Sequence, residues 1–209
     1  TDRHSRWPSV FSGKDVRFPE SFEKQTGFNT VKLFSYFAMN IDKDGWCADA
    51  VRMMSPNQND RPDGQTIDLL VIHNISLPPG EFGGPFIEDL FLNRLDCDRH
   101  PFFDQVRSLH VSSHFLIRRD GSLIQFVSAD KRAWHAGVSD YRGRTGCNDF
   151  SIGVEIEGTD YEPFRQEQYD TLISLTEALS RHYPIQAVTG HQHIAPGRKT
   201  DPGPFFDWT

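Results

Sequence analysis

The sequence predicts an α/β fold: a single domain with a central mixed β-sheet flanked by helices. Three observations predict it. Residues 67–72 (IDLLVI) form a near-continuous apolar run of strand length, the mark of a buried strand. Residues 166–182 repeat Tyr169, Leu172, Ile173, Thr176 and Leu179 at helical spacing. Between these segments, two short apolar runs flank RRDG, where Asp120-Gly121 favours a hairpin turn and so an antiparallel pair. Strands and helices that interleave in this way place helices over a sheet.

Taken in order, residues 60–64 (DRPDG) make a turn-rich entry to the first core strand. That strand ends in His73 and Asn74, so His73 stands at its polar exit. Pro85 starts a helix through Ile87, Leu90, Phe91 and Leu95, because proline suits the first turn and these residues mark one apolar face. Residues 114–117 and 123–127 are the strands of the hairpin. Residues 151–156 alternate Ile152, Val154 and Ile156, which puts Glu155 and Glu157 on the opposite face; composition alone would turn both glutamates to solvent. The helix of residues 166–182 has no strong N-cap and is closed by Pro184. A last apolar run, residues 185–188, sets His191 just past a further strand.

Composition narrows the function classes. The 209 residues can bury one sizeable core, and nothing demands a second domain. A net charge of -7 argues against general nucleic-acid binding, and no apolar stretch has membrane-spanning length. Between residues 118 and 144, Arg118, Arg119, Lys131, Arg132, Arg142 and Arg144 outnumber Asp120, Asp130 and Asp140. Such a surplus attracts an acidic ligand or is simply a solvated basic surface. Cys47, Cys97 and Cys147 are far apart and form no disulfide framework, which favours a reducing compartment and a cytoplasmic location. The N-terminus has no signal-peptide features, although it begins at Thr1 rather than Met and leaves upstream processing open. Phe11, Phe18, Phe22, Phe28, Phe34 and Phe37 fall among mixed charges; wrapping of the domain is favoured over a contact surface.

The chemistry concentrates in residues 189–208 (TGHQHIAPGRKTDPGPFFDW). His191, His193, Lys199 and Asp201 stand in a loop punctuated by proline and glycine. Imidazole and carboxylate are ligands for a borderline metal such as zinc, and a nearby lysine can meet developing negative charge. Polar surface loops often carry the same residues without a metal. His73 changes the balance: two strand-exit histidines and an aspartate converging at one sheet edge supply three ligands. They leave one tetrahedral position for water, as in catalytic zinc sites. By residue type alone, His114 and His193 are alternative ligands.

His73-Asn74 with ISLPPGEFGGPFI, then SSHFLIRRDG, KRAWHAG, NDFSIGVEIEGTD and TGHQHIAPGRKTDPGPFFDW, resembles the zinc-dependent N-acetylmuramyl-L-alanine amidases. The nearest resemblance is to the branch that works on anhydromuropeptides in the bacterial cytoplasm. It runs from Asp44 to Trp208, dividing the chain into an N-terminal extension, residues 1–43, and a catalytic domain, residues 44–209. The resemblance implies zinc on His73, His191 and Asp201, with Glu155 as the catalytic glutamate and Lys199 as an oxyanion partner. It also implies hydrolysis of the bond between the lactyl group of (anhydro-)N-acetylmuramic acid and L-alanine of the stem peptide. His114 then reads as structural and Glu157 has no assigned role.

Asn74, Trp134 and Arg198 are candidate substrate contacts. An indole offers a flat surface for a sugar or peptide, and a guanidinium pairs with a carboxylate in a bidentate fork. His135 shares the cleft-lining expectation with Trp134, ordinary packing being the alternative for both. Arginines of the family tend to stand where this chain has His110 and Gly146, so its grip on peptide carboxylates differs. A monomer that acts on a muropeptide, without a nucleic-acid or membrane partner, is expected. The alternatives are a periplasmic broad-specificity cell-wall amidase and a non-catalytic peptidoglycan-recognition module. A structural zinc protein would want four closed ligands, which the sequence does not offer.

Overall fold

The computed structural model describes residues 39–208, so the six phenylalanines singled out in the N-terminal segment lie outside the described residues. Its elements are β1 (Val51–Arg52), β2 (Gln58–Asn59), β3 (Leu69–Ile75), α1 (Phe86–Phe91), β4 (Phe115–Ile117), β5 (Leu123–Gln125), β6 (Arg132–Ala133), β7 (Asp140–Tyr141), β8 (Arg144–Thr145), β9 (Ser151–Glu157), α2 (Gln166–His182), β10 (Ala187–Gly190) and α3 (His191–Ile194). Short 3-10 turns cover Cys97–Arg99, Pro101–Gln105 and Cys147–Asp149. The main sheet has six strands in the order β1-β5-β4-β9-β3-β10. β9, β3 and β10 run parallel, β4 joins β9 in parallel, and β4 pairs with β5 antiparallel through the expected hairpin. The mixed sheet of the sequence reading is therefore present, with two small two-stranded ladders, β2-β6 and β7-β8, beside it.

The apolar run fills the centre. Leu69, Leu70, Val71 and Ile72 are fully buried, because β3 has strands on both sides and is covered on both faces. Leu77, Ile87, Leu90, Phe91, Phe103, Leu116 and Phe126 form one apolar cluster around α1; Leu69, Val71, Ala136, Cys147, Phe150 and Ile194 form another. α2 buries Leu172, Leu175, Ala178 and Leu179. Tyr169, Leu172, Ile173, Thr176 and Leu179 all lie in the helix as read, although Ile173 is exposed rather than on its buried face. The helix start is held from N3, where Gln168 accepts the Arg165 N–H at 3.0 Å and donates to Glu157 O at 3.0 Å.

Three local expectations change. The helix after Pro85 ends at Phe91, because Asn93 takes φ 56° in the left-handed region; Leu95 lies beyond the helix but still packs on the core. His191 opens a helical turn, α3, rather than standing in an extended loop. His193 accepts the Gly190 N–H at 3.2 Å, which satisfies one of the free donors at the start of that turn.

The third change concerns the glutamates. Every residue of β9 is buried, and Glu157 is only 1% exposed instead of solvated. Its carboxylate accepts from Arg118 Nη1 at 2.7 Å, Gly83 N at 2.7 Å and Arg119 N at 3.1 Å. Arg118 also donates to Gly84 O at 2.8 Å and pairs with Glu88. A charge taken out of water needs this full set of partners. Glu157 thus ties the loop before α1 to the sheet. No helix among the described residues is long and apolar enough to cross a membrane.

Candidate active site

Parallel pairing sets the site. The register matches His73 of β3 with Glu155 of β9 and Ile72 with Gly190 of β10, so His191 follows at the same end of the sheet as His73. Ligand sites of open α/β sheets form at the carboxyl ends of parallel strands, and this is such an edge. The loop beyond α3 folds back: Gln192 N donates to Asp201 O at 2.8 Å and brings the aspartate to the two histidines.

His73 Nδ1, His191 Nδ1 and Asp201 Oδ2 form a triangle with sides of 3.0, 2.9 and 3.0 Å. The three residues are 2%, 3% and 9% exposed. His191 Nε2 lies 3.0 Å from Ala136 O, which can only accept; that nitrogen carries the proton and Nδ1 turns its lone pair to the triangle. Burial pushes the His73 imidazole down to about 4, so it stays neutral at ordinary pH. Two imidazole nitrogens and a carboxylate oxygen at these distances are a donor set for a cation. Tetrahedral zinc sets its ligand atoms about 3.3 Å apart, so the triangle opens by only a few tenths of an ångström to hold one. The residues present fit the ion.

Glu155 is 7% exposed, and its Oε1 lies 3.9 Å from His73 Nδ1. Burial raises its carboxyl well above the usual range; Asp201 raises it further, and the positive charge of Lys199 opposes both. Lys199 itself is exposed, yet its charge reaches both Glu155 and His73. The structure thus brings together His73, His191, Asp201 and Glu155, with Lys199 near enough for its charge to act on Glu155 and His73.

The other expected contacts are placed differently. Asn74 is partly buried, and its amide nitrogen donates to Asp160 Oδ1 at 2.6 Å and Pro202 O at 3.0 Å, which ties the end of β3 to the loop that carries Asp201. Trp134 Nε1 donates to Asn59 Oδ1 at 2.7 Å, beside the β2-β6 ladder. Arg198 Nη2 donates to Ala136 O at 2.8 Å and Val138 O at 2.6 Å, clamping the turn that faces His191. His135 does not line a cleft: it is 9% exposed and lies behind His73, with ring centroids 5.1 Å apart. His114 is structural, as read. Its Nδ1 accepts the Gly153 N–H at 3.0 Å, its Nε2 faces Lys131 O at 3.0 Å, and burial pushes it down to about 3.

The basic surplus of residues 118–144 is largely matched locally. Arg118 pairs with Glu88 and Glu157, Lys131 with Asp60, Arg132 with Asp149, and Arg144 with Asp68. The sequence reading singled out His135 for another place and overlooked Ser151 and Gly153. Gly153 was the available signal: a glycine inside an otherwise bulky strand marks a close approach, and a Cβ there would come 2.5 Å from the His135 ring.

Known proteins share this arrangement of elements. Residues 63–204 match the N-acetylmuramoyl-L-alanine amidase family, Amidase_2. The 1,6-anhydro-N-acetylmuramyl-L-alanine amidase AmpD of Salmonella typhimurium is 57% identical over 166 residues, which cover 78% of this chain and 89% of that protein. A crystal structure of a selenomethionine AmpD derivative superposes with a TM-score of 0.80 at 56% identity, covering 81% of this chain and 96% of that one. AmiD from E. coli, solved in complex with the substrate anhydro-N-acetylmuramic acid-L-Ala-D-gamma-Glu-L-Lys, gives a TM-score of 0.51 at 28% identity, over 82% and 63% of the two chains. The family match spans the strands, the turn and the loop that build the site, and on that ground the chain belongs to the N-acetylmuramoyl-L-alanine amidase family.

Proposed function

We propose that this chain is a zinc-dependent amidase of peptidoglycan recycling. It cleaves the amide between the lactyl group of anhydro-N-acetylmuramic acid and L-alanine of the stem peptide. The observation that carries the reading is the triangle of His73 Nδ1, His191 Nδ1 and Asp201 Oδ2, with Glu155 Oε1 at 3.9 Å from His73 Nδ1. The names of the AmpD relatives and the AmiD complex supply the substrate class.

His73, His191 and Asp201 would hold the ion. A zinc ion there supplies Lewis acidity, which acidifies water toward a pKa of about 7 and polarises the scissile carbonyl. Glu155 takes the proton from the attacking water and passes it to the nitrogen of L-alanine as the C–N bond breaks. Its carboxyl suits both steps, because burial makes the carboxylate a stronger base than a solvated one. Lys199 brings an ammonium toward the oxygen that gains charge. Asn74 and Arg198 hold the loops around these groups, and Trp134 offers its half-buried ring at the β2-β6 side. A cytoplasmic location, supported by three free cysteines, Cys47, Cys97 and Cys147, and a monomeric state complete the proposal.

Release of stem peptide from soluble anhydromuropeptide and from intact cell-wall sacculi tests the reading. Faster release from the soluble substrate is expected. Preference for sacculi would instead indicate a broad-specificity cell-wall amidase, and binding without release a recognition module. Within the soluble assay, Lys199→Met keeps most of the side-chain volume and removes charge and donors. It should lower kcat on the order of 10²–10³-fold with zinc content unchanged. An unchanged kcat with a raised KM would make Lys199 a binding residue.

A further inference from the structure

Behind His73 lies a chain of hydrogen bonds whose direction can be read from its far end. Ser151 Oγ is 2.6 Å from Cys147 O, and two oxygens that close need a proton between them. The carbonyl has none, so the serine hydroxyl donates. Ser151 Oγ is also 3.2 Å from His135 Nε2, and with its single proton already directed to Cys147 it can only accept there. His135 Nε2 therefore carries the ring proton. In a neutral, buried imidazole this leaves a lone pair on Nδ1, which lies 2.9 Å from His73 Nε2. With a cation among His73, His191 and Asp201, His73 Nε2–H donates into it and Nδ1 turns its lone pair to the ion rather than a proton to Asp201 Oδ2, 2.9 Å away.

We infer that His135 is a positioning residue: it accepts from His73 Nε2–H and so fixes the ring orientation and tautomer in which Nδ1 of His73 is the atom offered to the cation. The inference rests on the zinc reading above. Asn148 holds the device in place: its Oδ1 accepts the backbone N–H groups of His135 at 3.1 Å and Ala136 at 2.8 Å. Gly153 makes room for it, since any Cβ at that position of β9 would lie 2.5–2.8 Å from three atoms of the His135 ring. The neighbouring residue does the same for the second histidine, because Ala136 O faces His191 Nε2 at 3.0 Å. One dipeptide thus sets both imidazoles, His73 through a side chain and His191 through a carbonyl. Partners of this kind orient metal-binding histidines and raise their basicity.

Two measurements test the inference, and neither reads activity. In zinc-loaded wild-type protein, long-range 15N–1H correlation spectra should show His73 and His135 both protonated at Nε2, with His135 bare at Nδ1. A proton on His135 Nδ1 would overturn the inference. In chelator competition, His135→Leu should bind zinc about 10–100-fold more weakly than wild type. His135→Asn, whose amide oxygen can stand near the place of Nδ1, should recover much of the loss. Equal affinities for wild type and His135→Leu would overturn the inference while leaving the zinc reading intact; a wild type without zinc affinity would sink the zinc reading and the inference with it. Melting of the metal-free variants reports whether the fold survives. Ser151→Ala, which keeps the ring and removes its acceptor, is measured alongside and should shift affinity in the same direction.

Discussion

Asp201→Ala is expected to leave a folded protein that neither retains zinc nor hydrolyses its substrate. The wild type should hold about one zinc per chain. Asp201 brings the only carboxylate of the triangle, with Oδ2 at 2.9 and 3.0 Å from the two Nδ1 atoms. Without it, two neutral imidazoles face a divalent ion that needs both a third ligand and compensation of its charge. His73→Ala and His191→Ala should act alike, since each removes one corner. Core packing is not the route of the effect: Asp201 sits in a loop beyond α3, whereas the apolar clusters are built from other elements. Metal analysis on the three purified variants, with melting curves to confirm folding, checks the expectation. Full zinc retention in all three would refute the ligand set.

Glu155→Gln separates chemistry from metal binding. The amide keeps the size and shape of the side chain but cannot take a proton from water. Turnover should fall roughly 10²–10⁴-fold with zinc and fold retained. The loss belongs in kcat, because the proton moves in the transition state rather than on binding. Stability should not suffer, and removal of a buried carboxylate that lies near Asp201 works in the variant's favour. Steady-state kinetics with soluble anhydromuropeptide, alongside zinc content, provides the measurement. Near wild-type turnover would rule out Glu155 as the general base.

The strand at residues 67–72, the hairpin at Asp120-Gly121 and the helix of residues 166–182 were legible because their signals are local. Apolar run length, turn chemistry and helical spacing each need only neighbouring residues. His73, His191 and Asp201 were legible as candidates by ligand chemistry at strand exits. Glu155 stood out only through family resemblance, because alternation along β9 gave it and Glu157 the same solvent-facing reading.

The sequence by itself determined which segments become the central strands and the long helix, and which side chains are candidates for metal-ligand chemistry. Tertiary structure decided how those side chains meet. The register that sets His73 opposite Glu155 joins residues distant in the chain, and no local pattern encodes it. Burial separated the two glutamates: Glu157 is neutralised by Arg118 and backbone donors, whereas Glu155 turns to the triangle of His73, His191 and Asp201. The same holds for His135, whose role comes from a serine on β9 and the space above Gly153. The physical reason is common to all three: desolvation and hydrogen-bond direction depend on what surrounds a group in space, and the chain reveals only what surrounds it in sequence.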